Sequence, residues 1–218
     1  MPIKVGLKRI EIWNDSMENA VCRYEEEPQH KEQIVFYGPS NFTRWSQKYG
    51  MIPLREVLLG KSGEPCVVNR GFGSSCPEHQ LYYYPRLVRP LAPKVLVYSP
   101  GFGNGLAFGY SLEESWELAQ RVLAYAMTDF PGIRIYLCGA LPRRDMTENH
   151  VENSKKWDAL LKKFAEETPG CSFVDVMSCE ALARKDIFVE DGVHFNQEGY
   201  HIYGEFFRDV LKVELEQY

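Results

Sequence analysis

Ile34-Val35-Phe36-Tyr37-Gly38-Pro39-Ser40-Asn41 is the stretch on which the reading of the fold turns. Four consecutive β-branched or aromatic residues read as a strand, and a run with no polar alternation reads as a strand covered on both faces. Gly38-Pro39 breaks it, and Ser40 opens a helix expected over residues 41–49. A strand buried on both faces needs a layer of helices on each side, so this segment already points to a layered α/β architecture.

The chain repeats that unit outward in both directions. Further short apolar runs bounded by Gly or Pro lie at 67–69, closed by Gly71, then at 94–98 (KVLVY), 133–137 (IRIYL) and 172–176 (SFVDV). Helical patterns fall between them. Ser111 and Glu114 form a capping box ahead of Trp116, Ala119, Val122, Leu123 and Ala126. Residues 153–168 place Trp157, Leu160, Leu161 and Phe164 on one stripe, which Pro169-Gly170 stops, and a last helix is expected over 196–215. Near the start, Asp15 to Glu18 cap a short helix carrying Met17, Val21 and Tyr24; Glu25-Glu26-Glu27 then reads as its solvated end before Pro28. The expectation is a three-layer α/β/α sandwich on a five-stranded parallel sheet, formed by residues 31–218, with 1–30 an extension packed on it.

Composition narrows the function classes. The chain has 218 residues, 44% of them hydrophobic and 13% aromatic, enough for a full core, so disorder, collagen and coiled coil are excluded as its main state. A formal charge of −5 argues against a nucleic-acid surface. No apolar run approaches the roughly 20 residues of a membrane span. The opening MPIKVGLKRIEIWNDS has no secretory apolar core, so a cytoplasmic location is expected. The cysteines at 22, 66, 76, 138, 171 and 179 include no CxxC pair, so reduced thiols and no zinc site are expected.

In parallel α/β sheets the site lies beyond the carboxyl ends of the strands, and four segments there carry chemistry. Ser40 is either an N-cap or a nucleophile set beside helix N–H groups. The segment is not the GxSxG elbow, because Phe42 stands at the second glycine. Asp191-Gly192-Val193-His194 can place an imidazole base and its orienting carboxylate on one turn, or be a helix-start Asp and a surface His. Asn104, in Gly101-Phe102-Gly103-Asn104-Gly105, can donate its amide to an oxyanion; a plain turn and part of a dinucleotide loop are the competing readings, although Leu106 stands where the latter needs glycine. Asn69-Arg70-Gly71-Phe72-Gly73-Ser74-Ser75 can aim backbone N–H groups inward, or be an ordinary loop.

Taken in order, these four blocks resemble those of the SGNH hydrolases, also called the GDSL esterase/lipase family, over roughly residues 31–215. "IVFYGPSNFTRW" resembles the family's strand and G-D-S block, "VVNRGFGSS" its second block, "VLVYSPGFGNG" the G-x-N-D block, and "DGVHFNQEGYHIYG" the final D-x-x-H block. The resemblance implies a flavodoxin-like five-stranded sheet and a serine esterase with catalytic Ser40, Asp191 and His194. It implies an oxyanion hole from Ser40, Asn104 and the N–H of Ser74, or of Gly73 if the loop slips by one. It implies no metal or cofactor, and a lipid, sugar or small-alcohol ester as substrate. Three positions depart from the family pattern: Pro39 replaces the aspartate of G-D-S, Ser74 a glycine, and Gly105 an aspartate.

Two other readings stay open on sequence alone: a non-catalytic binding protein that kept the fold, and a flavodoxin-like nucleotide binder. Phe72, Phe102 and Phe108 flank the site loops as acyl-pocket or core residues, and Tyr82-Tyr83-Tyr84 reads as one helix packing two faces. Residues 142–152, with Arg143, Arg144 and His150, form a lid or specificity segment, or merely a charged surface loop.

Overall fold

The computed structural model of the protein describes residues 14–218. The part of the N-terminal extension before Asn14 lies outside them. Five strands, β1 (Ile34–Gly38), β2 (Val67–Gly71), β3 (Val95–Tyr98), β4 (Arg134–Cys138) and β5 (Cys171–Val174), form one sheet in the order β2-β1-β3-β4-β5, every pair parallel. This is the flavodoxin-like order, whose switch point lies between β1 and β3.

Nine helices surround the sheet among the described residues: α1 (Asn14–Glu26), α2 (Ser40–Thr43), α3 (Leu54–Val57), α4 (Pro77–Leu87), α5 (Phe102–Ala107), α6 (Leu112–Asp129), α7 (Glu148–Glu167), α8 (Gln197–Val210) and α9 (Lys212–Leu215). The period of two along β1 and β3 divides the core. Val35, Tyr37, Leu96 and Tyr98 face one layer, built by α1, α4, α6 and α7. Ile34, Phe36, Val95 and Val97 face the other, where Phe42, Trp45, Tyr200, Tyr203 and Phe207 interlock. Trp45 stacks on Tyr203 with ring centroids 5.2 Å apart, fixing the last helix against the segment after Ser40.

Several expectations change. The helix read over 41–49 is a single turn, α2, followed by a 3₁₀ turn at Gln47–Tyr49, because Phe42 and Trp45 turn inward to the aromatic layer. The glycine-rich segment after β3 is not a plain turn: α5 opens in it directly, overriding weak propensity. The acidic run at 25–27 is not simply solvated. Glu25 accepts from Arg86 Nε at 2.8 Å, and Glu27 pairs at 2.9 Å with Arg70, whose side chain is 2% exposed. Tyr24 Oη donates to the Gly71 carbonyl at 2.6 Å, so α1 is strapped across the end of β2. All six cysteines are free, and no helix among the described residues is long and apolar enough to cross a membrane.

Candidate active site

Ser40 sits at the end of β1 as the first residue of α2. Pro39 takes the N-cap position with extended backbone, φ −83°, and no side chain caps this helix. The missing N–H of proline costs nothing there, and the N–H of Ser40 has no intrahelical acceptor. Freed from capping, Ser40 Oγ lies 2.7 Å from Nε2 of His194, a residue 154 positions away in the chain.

His194 closes a tight turn whose geometry Asp191 sets. Oδ1 of Asp191 accepts the backbone N–H of both Val193 and His194 at 2.9 Å, and Oδ2 lies 2.7 Å from His194 Nδ1. Partial burial alone would raise this carboxyl, but those N–H groups and the imidazole overcome it and hold the pKa down at about 2. Asp191 is therefore ionised near neutral pH, so Nδ1 of a neutral imidazole carries the proton and Nε2 presents its lone pair to the Ser40 hydroxyl. Burial lowers the His194 pKa below its ordinary 6.5; Asp191 opposes that, and the cations Arg44 and Arg143 add to it. The imidazole is thus neutral at pH 7 and able to accept a proton. Arg44 itself lies 3.5 Å from Asp191 Oδ2.

The structure brings Ser40, Asp191, His194 and Asn104 to one place and leaves Gly73 and Ser74 outside it. A cavity of about 390 Å³ is lined by Ser40, His194 and Asn104 and by neither Gly73 nor Ser74. Asn104 stands in α5, where its Nδ2 donates one hydrogen to the Ser75 carbonyl at 2.9 Å and keeps the second. Ser74, rather than Gly73, adopts the left-handed conformation, φ 60°, which is why a glycine is favoured at that position. Gly105 has its own reason: a Cβ there would come within 2.5 Å of Ser115 Oγ, so an aspartate has no room. Of the three flanking phenylalanines only Phe102 lines the cavity, stacked on Trp157 at 5.0 Å; Phe72 is core.

Three supports lie beneath these groups, and of them the sequence singles out only Arg144, as part of a lid, specificity or charged surface loop. Gln80, fully buried on α4, receives the Tyr98 hydroxyl at 2.8 Å and donates to the Ser99 carbonyl at 3.1 Å and to Ser75 Oγ at 3.3 Å. It thereby ties β3 to the loop that anchors Asn104. Asp158 on α7 accepts the Ala140 N–H at 2.7 Å and holds the loop after β4; burial pushes its carboxyl up to about 6. Arg144 donates to the carbonyls of Val189 and Glu190 at 3.3 and 2.9 Å, bracing the Asp191 turn. No sequence signal links these residues to the site except the loop's position after a strand.

Cys76, Glu78 and His79 bring potential ligand atoms within 4.8 Å of one another at the start of α4. Burial pushes the Cys76 thiol up to about 11, and His79 Nδ1 accepts the Cys76 backbone N–H at 3.3 Å. That is a helix-capping arrangement, and it lies outside the lining of the Ser40 cavity.

Comparisons with known proteins bear on the family and the fold. Residues 38–202 match the model of the GDSL-like Lipase/Acylhydrolase family. A structure from Streptococcus pneumonia, provisionally described as a platelet activating factor, superposes with a TM-score of 0.74 at 19% identity, covering 93% of this chain and 96% of that one. A GDSL-like lipase from Bacteroides thetaiotaomicron gives 0.66 at 17% identity, covering 91% and 98%. An acetylxylan esterase from Geobacillus stearothermophilus, in a catalytic mutant form, gives 0.66 at 15% identity, covering 87% and 98%. At these identities the likeness to solved structures carries the fold alone. No curated protein matches the chain.

Proposed function

Because the chain belongs to the GDSL-like lipase/acylhydrolase family of ester-hydrolysing enzymes, we propose that it cleaves carboxylic esters through a covalent acyl-enzyme on Ser40. The observation that carries this reading is the imidazole of His194, 2.7 Å from Ser40 Oγ on one side and 2.7 Å from the Asp191 carboxylate on the other. A serine hydroxyl is a weak nucleophile until a positioned base takes its proton.

In the first half-reaction Ser40 Oγ attacks the ester carbonyl as its proton passes to His194 Nε2. The tetrahedral oxygen takes up negative charge, which the Ser40 N–H and the free hydrogen of the Asn104 amide stabilise. His194 then gives the proton to the departing alkoxide, releasing the alcohol and leaving the acyl group on Ser40. Water, deprotonated by the same imidazole, attacks the acyl carbonyl; the acid leaves and Ser40 regains its proton. Asp191 keeps the imidazole in the required tautomer and stabilises its cation. The small apolar face of the cavity at Phe102, Leu106 and Ala107 suits a short acyl or acetyl chain of a lipid, sugar or small-alcohol ester.

The test joins labelling to kinetics. A fluorophosphonate should modify the protein once, at Ser40 by peptide mass spectrometry, and Ser40→Ala should lower kcat on p-nitrophenyl acetate by about 10³–10⁶. An unlabelled Ser40, or an alanine variant working at the parent rate, refutes the assignment and favours a binding protein that retained the fold.

A further inference from the structure

A second wall of the Ser40 cavity comes from the loop after β4 and the first turns of α7, and its character is cationic. Arg143 lines the cavity half-buried, and its Nη2 lies where a Cβ on Gly103 would approach within 2.9 Å, so the guanidinium reaches across to α5. Among the described residues it makes no hydrogen bond and no ion pair, and the cavity lining contains no Asp or Glu. Its neighbour Arg144 is fully engaged with Asp145 and two carbonyls, and the deeply buried Arg70 is paired with Glu27.

A half-buried arginine with no partner among the described residues keeps its donors free for a ligand. Burial lowers the Arg143 pKa, and no carboxylate acts to raise it. In the same cavity lining, His150 Nδ1 and Trp157 Nε1 are buried without a hydrogen-bond partner. A guanidinium with no such partner and an unmet indole N–H in one cavity, with no acidic side chain in the lining, are complementary to an anion.

We propose that the ester taken into the Ser40 cavity carries an anionic group and that Arg143 is the residue that reads it. The proposal rests on the esterase reading for the identity of the ligand as an ester. The guanidinium fork binds the anion bidentately, and the ester carbonyl is thereby set over Ser40. Gly103 is what leaves room for the fork.

The test measures binding apart from turnover, by titration calorimetry on Ser40→Ala protein. Mono-ethyl succinate carries its charge on the acyl side and ethyl levulinate is its neutral counterpart; 3-acetoxypropionate carries its charge on the alcohol side and 4-acetoxy-2-butanone is the counterpart. At least one anion should bind about tenfold or more tightly than its counterpart, and the better pair tells which side of the ester faces Arg143. Adding Arg143→Gln should erase the preference, and Arg143→Lys should keep part of it. Gly103→Ala, which displaces only the flexible end of Arg143, should weaken it without loss of folding. Equal affinity within both pairs, or a preference indifferent to Arg143→Gln, overturns the proposal. Charge selectivity in binding together with a parent protein that hydrolyses none of the four esters would instead sink the serine mechanism and leave Arg143 as an anion reader.

Discussion

The two walls of the cavity differ in one respect above all. On the wall of Ser40, His194 and Asp191 each polar group meets another: hydroxyl to imidazole, imidazole to carboxylate, carboxylate to two backbone N–H groups. On the wall of Arg143, His150 and Trp157, the half-buried guanidinium has no partner among the described residues, and His150 Nδ1 and Trp157 Nε1 are buried and meet nothing. A buried polar group normally finds a partner within the chain. Groups that must act on one another are pre-organised by the fold, and groups that must act on a ligand are left unmet until it arrives. The contrast also explains how one base can serve at neutral pH: the pairing wall holds Asp191 ionised, while the unpaired cation on the other wall helps keep His194 neutral.

The most severe way to break that contrast is to unpair the ordered wall. Asp191→Asn keeps the shape but offers an amide to Nδ1, favouring the wrong tautomer, and should lower kcat by about 10⁴ on p-nitrophenyl acetate. Folding should change far less, since the amide oxygen can still accept the Val193 and His194 N–H groups. Next in size is Asn104→Ala, which removes one oxyanion donor and should cost about 10²–10³ in kcat with KM little altered. Charge on the two walls can be tested by pH. Activity on kcat/KM should fall as pH drops through the His194 pKa, below 6.5. Removing the nearby cation in Arg44→Gln should move this acid limb to higher pH, because a cation disfavours the imidazolium; an unmoved limb would mean that the residue titrating is not His194.

The sequence made the ordered wall legible and left the other with two readings. Ser40 follows a strand-breaking Gly-Pro, and Asp191 and His194 sit three apart on a single turn, so local pattern finds them. The sequence leaves Arg143 and His150 in a segment that is either a lid or specificity element or a charged loop, and only the tertiary approach of Gly103 shows that the guanidinium points inward. Helix α5 was obscured for a similar reason: three glycines in Gly101 to Gly105 weigh against a helix, and packing of Gly105 on Ser115 is what holds it. Glu27 looked solvated because its partner Arg70 lies 43 positions on.

The floor joining the two walls gives smaller effects. Gln80→Leu would leave the Tyr98 hydroxyl and the Ser99 carbonyl buried without partners, and should destabilise the protein by about 1–3 kcal/mol in chemical denaturation. It should also reduce kcat, because Ser75, to which Gln80 donates, is the anchor of Asn104.

The smallest expected change is also the one that gains stability. Ser74 holds φ at 60°, a conformation in which a Cβ crowds the backbone at a cost of about 1–2 kcal/mol, whereas glycine adopts it freely. Glycine also loses more chain entropy on folding, which offsets part of the gain. Ser74→Gly should therefore stabilise the fold by up to about 1 kcal/mol, read as a raised denaturation midpoint with unchanged slope. The backbone N–H is kept, so kcat on p-nitrophenyl acetate should stay within about twofold of the parent if residue 74 only shapes the loop. A large gain in kcat with no gain in stability would mean instead that the serine side chain obstructs the oxyanion, and the loop at 73–74 would then belong to the ordered wall after all.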